Sequence, residues 1–267
     1  MKKLLILFSV CIFAATAGHS QDDTYYTDDA STVSVQSQQA PPALPDYVQP
    51  PCPGDGYLWT PGYWAWGDGG YYWVPGVWVM PPSVGLLWTP GYWGFYGGYY
   101  GWHVGYWGPH IGYYGGVAYG FGYYGTGFYG GRWEGGHFMY NTAVWHVGGG
   151  IHNVYVSHEG FNEHVVNHAS FNGPNGVRYR PNAGEVHAMH EGHTVMSSSH
   201  AGHEQSMGTE RTQFHAATHG SPAVHSMSTI GGQRYNQAGH SVGGGASRGG
   251  GGGHMGGGGG HGGGGRH

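Results

Sequence analysis

One pattern recurs between residues 59 and 107, and it governs what this chain can fold into. Trp59-Thr60-Pro61-Gly62-Tyr63-Trp64, Trp73-Val74-Pro75-Gly76-Val77-Trp78, Trp88-Thr89-Pro90-Gly91-Tyr92-Trp93 and Trp102-His103-Val104-Gly105-Tyr106-Trp107 share the form Trp-x-x-Gly-x-Trp. The four copies start 14, 15 and 14 residues apart and hold eight of the eleven tryptophans. Between the first two Pro-Gly pairs lie Tyr63 to Trp66, a Gly67-Asp68-Gly69-Gly70 turn and Tyr71 to Val74. Two four-residue strands, a four-residue loop and a two-residue corner fill the period, which predicts an antiparallel meander with glycine-rich hairpin loops. The Pro-Gly corners suit type II turns, in which Gly62 and its counterparts supply a positive φ, and such turns bend a sheet rather than close it tightly. Alternation along the strands predicts Trp64, Trp66, Trp73 and Trp78 on one face and Tyr63, Ala65 and Val77 on the other.

Composition decides what a core can be made of. Glycine supplies 58 residues, aromatics 16% and charged residues only 9%, and Leu and Ile are scarce, so a core must be built from Trp, Tyr and Val. The predicted class is mainly β: a short antiparallel Trp/Tyr-rich repeat meander with Gly-rich and His-rich, largely disordered flanks. Residues 18–54 read as a disordered acidic and proline-rich linker, because Pro41, Pro42, Pro45, Pro50, Pro51 and Pro53 favour an extended spacer. The repeat region follows at 55–108. A Gly/Tyr-rich β region spans 109–180, with Trp133 and Trp145 as packing anchors and further strand candidates at Ile151–Ser157 and His164–Phe171. Residues 181–230 are rich in His and Met with room for one or two short helices, and 231–267 read as a disordered Gly/His tail.

The first residues address the chain to export. Lys2 and Lys3, an apolar run from Leu4 and the sequence Ala15-Thr16-Ala17 have the form of a secretory signal peptide over 1–17, with Ser20-Gln21 as a nearby alternative cleavage point. The run is too short to span a bilayer, and no second one follows, so no transmembrane segment is expected. Lipid attachment at Cys11 is disfavoured by Val10 before it. Without the signal, which holds the only two lysines, seven arginines face fourteen acids, a balance of −7. That excess argues against nucleic acid as a partner and leaves no lysine for a phosphate loop or Schiff base. Cys52 then stands alone, so no internal disulfide framework is available.

Enzyme-like motifs occur without the context their chemistry needs. Gly239-His240-Ser241-Val242-Gly243 matches a nucleophile elbow but runs into polyglycine. Gly120-Phe121-Gly122-Tyr123-Tyr124-Gly125 has dinucleotide-loop spacing with no helix expected after it, and His158-Glu159 has Asn162 where a second zinc ligand belongs. No catalytic residue is assigned. Of the 21 histidines, all but His19 lie from His103 onward. His187, His190, His193, Met196, His200 and His203 form the densest run, a mixed imidazole and thioether set suited to Cu, Ni or Zn, against the plainer reading of histidine as polar filler. The tryptophans likewise have two readings, a packed core or an exposed platform that stacks on sugar rings, and core is favoured because so short a meander needs something to bury.

The four motifs resemble those of the bacterial YXWGXW (WxxGxW) repeat-containing proteins. The similarity extends to Gly105-Tyr106-Trp107-Gly108-Pro109-His110, Gly116 to Gly122, Gly135 to Asn141 and Ser170-Phe171-Asn172-Gly173, over residues 56 to about 225. The resemblance implies an exported protein of the Gram-negative envelope and implies no reaction; the histidine load and Gly/His tail depart from it. The expectation is a non-enzymatic structural or interaction protein of the envelope, in the periplasm, on the outer membrane or outside the cell. Its partners would be an envelope protein, a polysaccharide or further copies of itself. The alternatives are a periplasmic binder of Cu, Ni or Zn through the His/Met segment, and third a glycan binder through the Trp face.

Overall fold

The computed structural model describes residues 32–160 and 168–243. The signal-like segment and its cleavage points lie outside these residues, as do 244–267 of the Gly/His tail and 164–167 of the strand candidate His164–Phe171. A short strand, β1 (Val35–Ser37), precedes the repeat. The four motif copies then form two long hairpins. In the first, β2 (Leu58–Thr60) and β3 (Tyr63–Gly67) lead out, and β4 (Gly70–Val74) and β5 (Gly76–Val79) return. Trp59 faces Trp78 before the Pro-Gly interruption and Trp64 faces Trp73 beyond it, so one register runs through the whole hairpin. The second repeats the plan with β6 (Leu87–Thr89), β7 (Tyr92–Phe95), β8 (Tyr100–His103) and β9 (Tyr106–Gly108), pairing Trp88 with Trp107 and Trp93 with Trp102.

The kink sends the two halves of each hairpin into different sheets. The outer half of the first, β3 and β4, forms a two-stranded sheet, whereas β2 and β5 continue into a five-stranded one. In the second hairpin, β7 and β8 are flanked by β1 and by the later strand β15 (Phe171–Asn172), and β6 and β9 are joined by β16 (Thr194–Val195). Between these, β10 (Ala118–Gly120) pairs with β11 (Tyr123–Tyr124), and β13 (His137–Asn141) takes β12 (Gly131–Glu134) on one side, antiparallel, and β14 (Val154–Tyr155) on the other, parallel. The helices are α1 (Ala183–His190), α2 (Ser198–Met207) and α3 (His215–Thr218). A C-terminal ribbon of β17 (Ser226–Met227), β18 (Arg234–Tyr235) and β19 (Ser241–Val242) adds to β5 through β17, in parallel.

The mainly β class, the antiparallel strand pairs and short helices beyond residue 181 agree with the sequence reading, whereas the meander is divided into two hairpins that run through their Pro-Gly corners. Several expectations are corrected. Gly67 and Gly70 pair with each other, so the first hairpin turns on Asp68-Gly69 alone, with Gly70 at a φ of 93°. Tyr63, Ala65 and Val77 are as buried as the tryptophans, so the strands have no solvent face where they were expected to alternate. Of the candidate Ile151–Ser157, only Val154 and Tyr155 form a strand.

The proline-rich segment is not a free linker over its described part. Buried indoles need acceptors, and an extended chain poor in N–H groups supplies carbonyls. Trp64 donates to Ala43 O at 3.0 Å and Trp78 to Pro50 O at 2.8 Å, while the Tyr71 hydroxyl donates to Gln39 O at 2.8 Å. The start of the expected tail likewise pairs, as β18 and β19. Trp145 is the anchor it was read to be, buried with its N–H on Phe121 O at 2.8 Å; Trp133 is half-buried and donates to Leu86 O. Among the described residues no helix is long and apolar enough to cross a membrane.

Candidate functional site

The motif residues Trp59, Gly62, Trp64, Trp73, Gly76, Trp78, Trp88, Gly91, Trp93, Trp102, Gly105 and Trp107 converge at the two kinks. The eight indoles are at most 6% exposed. Each meets its cross-strand partner edge-on or tilted, at ring-centre distances of 5.3 Å for Trp59–Trp78, 5.2 Å for Trp64–Trp73, 5.2 Å for Trp88–Trp107 and 5.4 Å for Trp93–Trp102. These geometries suit the ring quadrupole and add about 0.5–1.5 kcal/mol per pair to the burial term. The Trp93 N–H donates to Trp64 O at 2.8 Å and thereby ties one hairpin to the other.

The motif glycines do not serve the purpose that a type II corner assigned them. None of Gly62, Gly76, Gly91 and Gly105 is among the residues with positive φ. They are required because other atoms occupy the place of a side chain. A Cβ on Gly62 would lie 2.3 Å from Cζ2 of Trp73 and 2.9 Å from the Gly76 nitrogen; one on Gly76 would lie 2.5 Å from Cζ2 of Trp59 and 2.9 Å from the Gly62 nitrogen. In the second hairpin a Cβ on Gly91 would meet Trp102 Cζ2 at 2.6 Å, and one on Gly105 would meet Trp88 Cζ2 at 2.6 Å. The first tryptophan of each copy thus lies over the glycine of its partner copy, a reciprocal lock in which two backbones touch between two indoles. The fourth copy shows which part is essential: Val104 replaces proline and the lock persists.

Two tyrosines close the locks. The Tyr47 hydroxyl, from the proline-rich strap, accepts the Gly62 N–H at 3.0 Å, and burial raises its pKa well above the usual phenol range. Tyr119 donates to Gly91 O at 2.5 Å in the second hairpin. Gln213, fully buried, donates to both Trp73 O and Val224 O and accepts the Val224 N–H. Sequence reading missed all three, since nothing local distinguishes them from other polar residues of the flanks.

The six His/Met residues are not brought together. His187 lies within 3.5 Å of Glu191, which also bonds His110; His190 ends α1; and His193 lies beside the Tyr106 ring. Met196 packs at the edge of the core. His200 and His203 face inward from α2, the first with its ring centre 4.9 Å from that of Trp88, the second with Nε2 donating to Pro75 O at 3.1 Å. Burial lowers the pKa of both, His200 to about 4, so they stay neutral where an exposed imidazole begins to charge. Among the described residues no group of three His, Cys, Asp or Glu side chains is placed to hold a metal ion. Cys52 is half-buried with its thiol donating to Gly54 O, and burial raises its pKa to about 11, so little thiolate forms at neutral pH. Ser241 sits in β19, and the Gly120–Gly125 run covers the end of β10, the Phe121-Gly122 turn and β11.

Residues 54–79 match the family described as WXXGXW repeat (2 copies). The chain thus carries WXXGXW repeats. The match covers two copies and ends at Val79, which is also where the first hairpin ends. No curated protein and no solved structure matches the chain. Its geometry assigns the motif to packing: every repeated side chain is turned inward, and a row of indoles open to sugar rings, the platform considered from sequence, is not presented.

Proposed function

We propose that the protein is an exported, non-catalytic structural or interaction component of the bacterial cell envelope, with the two hairpins as its rigid frame. The carrying observation is the fate of the repeat. Its eight tryptophans and four glycines are consumed by two interlocked hairpins, so the family's defining residues make a scaffold rather than a reaction centre. The proline-rich strap, the helices and the C-terminal ribbon wrap that frame and form the outer surface through which contact with an envelope protein, a polysaccharide or another copy occurs. Export is supported by the signal-like residues 1–17.

Fractionation of the native host, followed by mass spectrometry of the N-terminus, tests this reading. The expected result is a chain beginning shortly after Ala17 in the periplasmic, outer-membrane or extracellular fraction. A full-length chain retaining Met1 in the cytosol would overturn it.

A further inference from the structure

The C-terminal ribbon is held to the repeat frame by a short seam. β17 pairs with β5 through two residues only, Ser226 with Gly76 and Met227 with Val77, and in parallel. At the head of that seam lies His225, 2% exposed, with hydrogen-bond partners for neither ring nitrogen. Its backbone is engaged on both sides: the N–H donates to Tyr235 O at 2.8 Å, and the carbonyl accepts the Trp73 indole at 3.0 Å. The imidazole is therefore placed where the ribbon, β4 and β5 meet, and any shift of its backbone draws the ribbon away from Trp73.

We propose that the ribbon spanning residues 224–243 is an acid-released latch, in which protonation of His225 detaches β17–β19 from β5 while both repeat hairpins stay folded. A buried cation without a partner is costly, and the simplest relief is exposure of the imidazole to water. The surroundings offer no compensating carboxylate. The paired residues of β5 are Gly76 and Val77, β4 contributes Trp73, the 3-10 turn at Arg211–Gln213 contributes the uncharged Gln213, and β18 contributes Tyr235 and Arg234. Arg234 is itself positive and paired with Glu210 at 2.5 Å. Burial lowers the His225 pKa from 6.5 to about 4, in keeping with this geometry. Release would also free the Ser226 hydroxyl, which donates to Val48 O at 3.0 Å, and so loosen the N-terminal strap. The inference goes beyond the envelope role and holds wherever the chain resides.

Hydrogen exchange on the full chain at pH 7 and pH 5, corrected for intrinsic rates, reads the latch directly. Titration from 6.5 to about 4 implies that opening of the ribbon rises roughly twentyfold over that interval. The amides of His225, Ser228 and Asn236 should lose protection by about that factor while those of β3 and β4 keep theirs. His225→Phe, which buries a ring of similar size and cannot titrate, should abolish the change. Equal loss in wild type and variant, no loss in wild type, or simultaneous loss from β3 and β4 would each overturn the proposal. Should His225→Phe not fold, the 15N shifts of the wild-type His225 ring decide instead. Ring protonation and ribbon opening should share one midpoint, and an imidazole that stays neutral while the ribbon opens refutes the latch.

Discussion

Gly62 can be read as a turn glycine or as a contact glycine, and the two readings predict different consequences. A residue needed for positive φ tolerates no side chain because of its own backbone; Gly62 tolerates none because Trp73 fills the space. Gly62→Ala should therefore destabilise the fold by about 2–3 kcal/mol through overpacking between Trp73 and the Gly76 backbone. Pairing it with Trp73→Leu, which removes the obstructing indole, should make the two losses markedly less than additive. Gly202→Ala on α2 is the control, since nothing lies within 4 Å of a Cβ there and the change should stabilise the protein by up to ~1 kcal/mol. Urea unfolding midpoints of the variants check both signs. Sequence made the importance of Gly62 plain but not its reason, because the obstructing indole sits eleven residues away, in the next copy, at a distance set by a register no local pattern displays.

At the scale of elements, the hairpins were legible because the 14-residue repeat leaves room for two short strands and a glycine-rich loop. The strap was not. Proline-rich sequence fits a solvated spacer and an extended acceptor strip equally well, and only the positions of Trp64, Trp78 and Gly62 select the second. Tyr47→Phe should cost about 1–3 kcal/mol, because it strands the Gly62 N–H without its acceptor; thermal melts beside Tyr99→Phe at a hairpin tip check it. Helix α1 was legible in outline, and its start is fixed by a reciprocal cap. Asn182 accepts the Glu185 N–H at 3.0 Å, and the Glu185 carboxylate accepts the Asn182 N–H at 2.9 Å. Asn182→Ala should lower the stability of α1 by roughly 1 kcal/mol, seen as faster amide exchange over Val186 to His190. The histidine run was misleading as a cluster for the same reason that it contains helices: α2 turns His200 and His203 inward, away from His187 and His190 on α1.

For the molecule as a whole, acid is the informative variable. Counting charges alone suggests some twenty imidazoles titrating together near pH 6.5, but His200, His203 and His225 are held neutral by burial. Their folded pKa values lie below the unfolded value, so stability is complete above about pH 6.5 and falls as pH drops towards 4. His200 and His225 should each remove on the order of 2 kcal/mol by pH 5, whereas Glu185, raised by burial, acts in the opposite direction as it gains a proton. Denaturant midpoints at pH 7 and pH 5 should show the net loss, reduced in His200→Phe. The continuous register of the hairpins has a different kind of consequence, for how such a chain lengthens or shortens over time. One residue inserted between the copies of a hairpin slips every indole past its glycine, while one inserted between hairpins slips nothing. The intervals obey this rule, 14 residues within each hairpin and 15 across the gap from Trp73 to Trp88. On this register, copies are expected to be gained or lost in twos, a hairpin at a time.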